Sequence, residues 1–420
     1  FGDRAVTPKL AEIKKLYQNV EFKAIDAAKG IIEIKNKFLF TNLSKYELYW
    51  CQCSDKGIIS DGVVNVDIKP FEKKVVDLEL GKLPKTEYYL NLELREKDDT
   101  AYCKAGHIVA EQQFVINEFD NVYDEIEEEQ QLLVDDTYGS LRIISDDVVI
   151  RFERRERNQL YSIKVGNEEL LQAPMRLNFW RALTDNDRGT RAGSRLGCWR
   201  DAGDTPGIFN NTKWSIEGYK ILDDGKKVVV TSGATVCTQP ESKASIVYTI
   251  TSKGMEINLH FYPDPSLPEI PEVSLLFELP KDFENVTYLG NGPEENYIDR
   301  ANAAKIGLYN TTVSDMWVDY LKPQECGNRT GVRYATLVGD KKVFSLVAEP
   351  VMEFNACHWL PKEIENVWHQ KDLPEPNKTV VRCIARQQGI GGYDSWGAHC
   401  NEKYKNKTDK TYRLKFQIRF

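Results

Sequence analysis

Apolar and polar residues alternate with a period of two along most of this chain. In Tyr88-Tyr-Leu-Asn-Leu-Glu-Leu94 the even positions are apolar and the odd ones mixed, the pattern of an antiparallel strand with one buried face. Ile246-Val-Tyr-Thr-Ile250 and Met255-Glu-Ile-Asn-Leu-His-Phe261 repeat it, and in Tyr412-Arg-Leu-Lys-Phe-Gln-Ile-Arg-Phe420 five apolar side chains share one face. Asp-Gly, Gly-Lys and Asn-Lys turns separate such segments, which predicts an all-β chain of sandwich architecture. The first segment reads differently. Thr7 suits an N-cap, Pro8 the first helical position, and Leu10, Ile13 and Tyr17 recur at helical spacing, so one short helix is expected there. Nowhere do strands alternate with amphipathic helices, which argues against a (β/α)8 barrel or a doubly wound sheet.

Residues 118–136 interrupt this rhythm. From Glu118 through the run Asp124-Glu-Ile-Glu-Glu-Glu-Gln-Gln131 to Asp135-Asp136 the chain is strongly acidic with little apolar periodicity, and reads as a solvated linker. The expected domains are therefore 1–117, a sandwich of immunoglobulin size with the short helix at its start, and 137–420, too large for one simple sandwich and so a many-stranded sheet pair.

Composition narrows the functional classes. The 420 residues are 41% hydrophobic, 29% charged and 11% aromatic, a globular balance, and 56 Lys+Arg against 64 Asp+Glu leave a net charge of −8. Neither this charge nor any local basic patch favours nucleic acid. No apolar run approaches the roughly 20 residues that a spanning helix needs, so no membrane partner is expected. The nine cysteines (51, 53, 103, 198, 237, 326, 357, 383 and 400) are odd in number and irregular in spacing, neither a disulfide framework nor a zinc pattern. Cys51 and Cys53 fall on one face of a strand, where the plain reading is buried free thiols. None of the five histidines forms a metal-type pair, and no metal site is expected in this chain. Triplets such as Asn285-Val-Thr287 and Asn310-Thr-Thr312 leave the compartment, cytoplasmic or periplasmic, open. Phe1 in place of Met, with no signal sequence, reads as the start of a piece of something longer.

Four stretches concentrate Asp, Asn, Arg, Glu, Gly and Trp. In Asn178-Phe-Trp-Arg-Ala-Leu-Thr-Asp-Asn-Asp-Arg-Gly189, the Asp185-Asn186-Asp187 turn taken alone reads as a self-capped loop. In Leu289-Gly-Asn-Gly-Pro-Glu-Glu-Asn-Tyr-Ile-Asp-Arg300, Pro293 replaces the helix start that a dinucleotide loop requires, and Glu294, Glu295, Asp299 and Arg300 read as a buried charge network. In Tyr320-Leu-Lys-Pro-Gln-Glu-Cys-Gly-Asn-Arg-Thr-Gly-Val-Arg333, Arg329 and Arg333 could clamp carboxylates of the second stretch. The fourth is Gly389-Ile-Gly-Gly-Tyr-Asp-Ser-Trp-Gly397, whose Trp396 is either a core plug or an exposed platform on which the apolar face of a sugar stacks. No carboxylate is singled out as one of a glycosidase pair, and neither a Gly-x-Ser-x-Gly elbow nor a phosphate loop occurs.

These stretches closely resemble, in order and spacing, the C-terminal part of the large bacterial β-galactosidases of glycoside hydrolase family 2. The resemblance rests on Arg181-Ala-Leu-Thr-Asp-Asn-Asp-Arg-Gly189, Gly290-Asn-Gly-Pro-Glu-Glu-Asn-Tyr-Ile-Asp-Arg300, Pro323-Gln-Glu-Cys-Gly-Asn-Arg329 and Gly391-Gly-Tyr-Asp-Ser-Trp396. It extends to Gly2-Asp-Arg-Ala-Val-Thr-Pro8 with Glu12 and Lys14, and to Ala105-Gly-His-Ile-Val-Ala110. It implies an immunoglobulin-like sandwich, the family's fourth domain, followed by a large galactose-mutarotase-like supersandwich, its fifth. It also implies a retaining β-galactosidase whose catalytic (β/α)8 barrel belongs to the same polypeptide upstream of Phe1, with its glutamates, a divalent cation (Mg or Ca) and optionally Na. No catalytic residue is then expected in this chain, which alone should be inactive. By position, Trp396 matches the tryptophan that the fifth domain contributes to the β-galactoside pocket, and Asp185, Asn186, Asp187, Arg188 and Gly189 match the start of a mobile loop at the pocket mouth. Tyr393 stands where other members often carry a second Asp. Oligomeric state is left open. The alternatives are a separately encoded small subunit or a stand-alone carbohydrate-binding or mutarotase-like protein, for which His358, His369 and His399 are the candidate acid or base groups.

Overall fold

The computed structural model describes residues 4–80, 87–117, 126, 130–154, 159–203, 212–394 and 396–420. The chain forms two compact units: Gly2–Val122 together with Asn302–Leu308, and Tyr123–Ala301 together with Tyr309–Phe420. The inclusion of 302–308 in the first unit has no counterpart in the linear division read from the sequence.

In the first unit a three-stranded sheet (Val20–Asp26, Ile31–Asn36, Lys73–Asp77) and a four-stranded sheet (order Gly57–Asn65, Tyr46–Ser54, Tyr88–Glu96, Ile108–Asn117) contribute to one core. Phe22, Ile32 and Ile34 come from the first sheet, Leu48, Leu90, Leu92 and Leu94 from the second, so the unit is a sandwich of antiparallel strands. The alternation in 88–94 is realised: Tyr88, Leu90, Leu92 and Leu94 are all essentially inaccessible to solvent.

The expected helix is present as Pro8–Leu16, with Pro8 in its first turn, but Thr7 makes no side-chain cap bond. Its apolar stripe does not face the core: Leu10, Ile13 and Tyr17 are exposed. The polar side is the one held. Glu12 accepts hydrogen bonds from the backbone N–H groups of Asn302 and Ala303, and the Lys15 ammonium donates to the Glu111 carbonyl and to Gln112 Oε1. These bonds fix the rotation of a helix too short to be stable on propensity alone.

The second unit contains a five-stranded sheet and a twelve-stranded sheet that share one hydrophobic core. The main path of the larger sheet runs Ala173–Asn178, Glu272–Pro280, Lys378–Gln387, Val343–Cys357, Tyr412–Arg419, Gly254–Tyr262, Ser242–Thr251, Lys227–Val236, Lys213–Leu222. The fifteen-residue strand Val343–Cys357 is its hub, because it is long enough to pair along different parts of its length with Lys378–Gln387, Tyr412–Arg419 and Arg329–Val338. The apolar faces of Ile246–Ile250, Met255–Phe261 and Tyr412–Ile418 all enter the core, and Phe420 packs against it half-buried.

One boundary is corrected. Most of the acidic stretch 118–136 lies outside the described residues, but its last part, Leu133–Asp136, is a strand of the five-stranded sheet and not a connector. Asp135 pairs there with Arg142 of the same sheet and Asp136 with Arg154 just beyond the strand Val148–Glu153, so these carboxylates have partners rather than only solvent. Among the described residues no helix is long and apolar enough to cross a membrane.

Phe277 joins three strands of the large sheet, its ring centroid 5.6 Å from that of Phe344 and 6.3 Å from that of Phe416. Phe277→Ala should therefore cost about 3–5 kcal/mol in urea denaturation of the chain, and a loss below about 1 kcal/mol would show that this cluster is not a tightly packed centre.

Candidate functional site

The four chemically dense stretches lie far apart in sequence and meet in the second unit. The first is organised by Arg181, which is 1% exposed. Its Nε and Nη2 donate to the two oxygens of Asp187 at 3.1 and 3.0 Å, and its Nη1 and Nη2 donate to the carbonyls of Gln388 and Gly389 at 2.5 and 3.1 Å. Burial opposes the charge of this guanidinium, but Asp187 beside it outweighs that cost and holds it protonated.

Asp187 also starts a helix. Residues Asp185–Gly189, expected as a loop, form one short helical turn capped by Thr184. The Asp187 N–H donates to Thr184 Oγ1, and the Thr184 N–H donates to Asp187 Oδ2. The reading of this segment as self-capped is thus realised in helical form. Asp185 is tied to the third stretch by a reciprocal pair: its N–H donates to Gln324 Oε1 at 3.0 Å, and Gln324 Nε2 donates back to Asp185 Oδ2 at 3.1 Å. Arg188 Nη1 donates to Asp185 Oδ1 and Arg188 Nη2 to the Pro323 carbonyl. Asn186 Nδ2 donates to the Ile390 carbonyl at 3.0 Å, in the fourth stretch.

The second stretch holds the fourth from its other side. Asp299 accepts the backbone N–H groups of Ile390 and Gly391 at 3.0 and 2.9 Å. Glu295 accepts from Arg300, from the Tyr320 hydroxyl at 2.5 Å and from the Gly327 N–H at 2.7 Å, which joins the second and third stretches as a buried charge network. Arg329 departs from its expected role as a carboxylate clamp. It donates to the Tyr288 hydroxyl at 2.9 Å and to the carbonyls of Gly327 and Asn328, because Glu295 is already saturated by closer donors.

The clamp is instead Arg382, which sequence reasoning missed. It donates to Glu272 Oε2 at 2.5 Å and to both oxygens of Glu325 at 2.6 and 2.8 Å, while Gln387 Nε2 bridges Glu272 and Glu325 at 2.8 and 3.3 Å. Glu272, Glu325 and Arg382 are at most 3% exposed. Burial raises the Glu272 carboxyl above its ordinary range despite Arg382. A signal did exist. An Arg inside Val380-Val-Arg-Cys-Ile384 and a Glu inside Ile270-Pro-Glu-Val-Ser-Leu275 are charges in buried strands, which must find buried partners.

On this scaffold stands Trp396. The core-plug alternative is excluded: the indole is 92% exposed. Its backbone is fixed nonetheless. Asp394 Oδ1 accepts the N–H groups of Trp396 and Ala398 at 2.9 and 3.0 Å, and these bonds hold the carboxyl below its usual range. Gly397 has φ +89° and lies so close to the Gly189 carbonyl that a Cβ would sit 2.6 Å from that oxygen. Only glycine allows both. The platform is thereby seated on the C-terminal end of the Asp185–Gly189 helix. Tyr393 is also half-exposed; Ser395 lies outside the described residues.

The histidines have separate placements. His358 is buried, its Nδ1 3.0 Å from the Lys378 carbonyl and its Nε2 3.2 Å from Glu284. His369 precedes the short helical turn Gln370–Asp372. His399 lines a cavity of about 10 Å³ with Asn186, Asp187 and Gly391, room for a single water. Among the described residues no group of three or more His, Cys, Asp or Glu could hold a metal ion.

Glu353 joins the same buried region, accepting from Asn328 Nδ2 at 3.0 Å and from the Gln387 N–H at 3.1 Å. Burial pushes its carboxyl from 4.5 up to about 7. Between those values the folded chain keeps a proton that the unfolded chain has released, so this contribution is fully present below 4.5 and is lost as pH rises through about 7. Glu353→Gln should abolish that decline, worth at most about 1.4 kcal/mol per pH unit. Parallel urea titrations from pH 5 to 8 check it, and identical slopes for the two chains would refute the assignment.

Comparison with known proteins gives the chain's relatives. A family model described as "Beta galactosidase small chain" matches residues 145–418, and one described as "Beta-galactosidase, domain 4" matches residues 32–117. Beta-galactosidases of Priestia megaterium, Halalkalibacterium halodurans and Streptococcus thermophilus are 32%, 31% and 29% identical over all of this chain. The chain spans 40–41% of the length of these relatives. A galactose mutarotase-like protein from Lactobacillus casei aligns over 67% of this chain and 99% of its own, with 12% identity and a TM-score of 0.36. With the small-chain model covering most of the second unit, the chain belongs to the β-galactosidase small-chain family.

Proposed function

We propose that this chain is the non-catalytic part of a retaining β-galactosidase that removes terminal non-reducing β-D-galactose, and that it completes the substrate pocket with Trp396. The observation that carries the pocket role is the combination at Trp396 of an indole 92% exposed and a backbone held by Asp394 and by the Gly189–Gly397 contact. Exposed aromatic surface costs solvation unless something covers it, and a rigid platform binds with little ordering cost. The C–H face of a galactoside matches an indole, and in this reading the polar Asp185–Gly189 turn beside it forms part of the pocket mouth.

Three carboxylates of the four stretches support the assignment of catalysis elsewhere. Asp187, Glu295 and Glu325 are each bonded to a buried or partly buried guanidinium. A nucleophile or general acid needs a carboxyl free to face the sugar. In this reading the acid, the nucleophile and the activating cations belong to a barrel of the same polypeptide, and this chain supplies no metal ligand.

Two outcomes follow. The 420-residue chain by itself should show no turnover of a chromogenic β-galactoside above background, and substantial hydrolysis would overturn the non-catalytic assignment. In the complete enzyme, Trp396→Ala should weaken binding of a galactoside or galactose-derived inhibitor by roughly 1–3 kcal/mol, about 5- to 150-fold. Unchanged KM and kcat would remove Trp396 from the pocket.

A further inference from the structure

Cys51 and Cys53 lie on the strand Tyr46–Ser54 of the first unit, far in sequence from the residues of the proposed pocket. Two residues apart on a strand, they point to the same side, and their Sγ atoms are 3.5 Å apart. This is the opposite side from Leu48, which enters the core of the sandwich. Asn91, directly across from Cys51 on the neighbouring strand, donates from Nδ2 to both sulfurs, at 3.3 Å to Cys53 and 3.8 Å to Cys51. A single amide donor shared by two sulfurs stabilises negative charge on either of them.

We propose that Cys51 and Cys53 form a dithiol site that small-molecule disulfides close reversibly to an intrachain disulfide. A proton shared between the two sulfurs gives the arrangement that thiol–disulfide exchange uses, one sulfur as donor and the other as thiolate. With the Cys53 thiol as donor, Cys51 is pulled down to about 7 against the opposing effect of burial. Cys53, whose thiol the neighbouring Cys51 sulfur and burial push up, is the more open of the two, so the first attack uses the minor form in which the shared proton has moved to Cys51 and the thiolate sits on Cys53. That thiolate attacks one sulfur of the small disulfide RSSR, breaking its S–S bond and releasing RS⁻, which takes up a proton. The Cys51 thiol then loses its proton and attacks the Cys53 sulfur of the mixed disulfide, releasing a second RS⁻, protonated in turn. Two protein thiols are oxidised to one disulfide, and RSSR is reduced to two RSH.

The 3.5 Å approach of the two sulfurs brings them close to bonding, and the strain of closing the pair makes the bond easy to reverse. Residues i and i+2 of a strand have Cα atoms, and parallel Cβ atoms, about 6.6 Å apart, whereas a disulfide holds its Cβ atoms about 3.5–4.5 Å apart, so closure requires the backbone to tighten at the register shift between Gln52 and Cys53 and the resulting strain favours reduction. Closure would also be felt beyond the pair. Asn91 Oδ1 accepts from Gln113 Nε2, and Gln113 in turn holds both the N–H and the carbonyl of Ile306, in the segment 302–308 of the same unit.

The test equilibrates the full chain, under native conditions, with glutathione at graded ratios of oxidised to reduced form, followed by iodoacetamide, trypsin and mass measurement of the peptide Tyr46–Lys56, which contains both cysteines. The expected result is a loss of two hydrogens and of both alkylation sites, restored when reduced glutathione is in excess. Two alkyl groups at every ratio, or a glutathione adduct that persists on the wild-type peptide without closing, would overturn the proposal. In Cys51→Ser the adduct should accumulate on Cys53, because the resolving thiol is gone; an unmodified Cys53 would show that the first attack does not occur.

Discussion

Arg382 sets an electrostatic demand that the elements around it must answer. A guanidinium removed from water in the middle of an antiparallel sheet costs several kcal/mol unless its charge and its N–H groups are answered at close range. Glu272 answers it from the adjacent strand, Glu325 from the third stretch, and Gln387 fills the gap between the two carboxylates. Once those partners are required, the path of the chain around them is no longer free. The loop bearing Glu325 must come back over the sheet, and there its N–H meets the carbonyl of Ala182, beside Arg181.

Arg181, next to Ala182, repeats this demand. Its carboxylate, Asp187, is shared with the start of a helical turn, so charge neutralisation and helix capping depend on one side chain. Its remaining donors hold the carbonyls of Gln388 and Gly389, the approach to the glycine-rich fourth stretch. An exposed indole is thus positioned by buried guanidinium groups it never touches, through backbone segments that those groups immobilise. Such a chain of bonds explains how a loop rich in glycine, normally a source of conformational freedom, presents one arrangement.

How much of this was legible follows from the range of each interaction. Alternation is local, so the strands around Leu90, Ile257 and Phe416 could be read from the sequence, and so could the tendency of Asp187 to cap its own turn. The convergence of the four stretches depends on partners such as Asp299 with Gly391 and Glu272 with Arg382, which no periodicity reports; it entered only through the resemblance of the motifs to a known family. Trp396 in its glycine-rich stretch was ambiguous, because a large apolar ring satisfies a core and a ligand platform equally well until exposure decides. The Leu10, Ile13, Tyr17 stripe misled for the converse reason. Helical spacing revealed the helix, but a hydrogen-bonded carboxylate at Glu12 and an ammonium at Lys15 determine which side is held.

The membership of Asn302–Leu308 in the first unit bears on the order of events during synthesis. A sandwich ending at Asn117 would ordinarily be free to fold as soon as it left the ribosome, since domains generally fold as units from the N-terminus. Here the partners of Glu12 and Gln113 have not yet been translated at that moment. At 5–20 residues per second the nascent sandwich waits roughly 10–40 s for them. During that interval its incomplete face is open to chaperones or to neighbouring chains, and a gene cut at the apparent boundary would leave it so permanently.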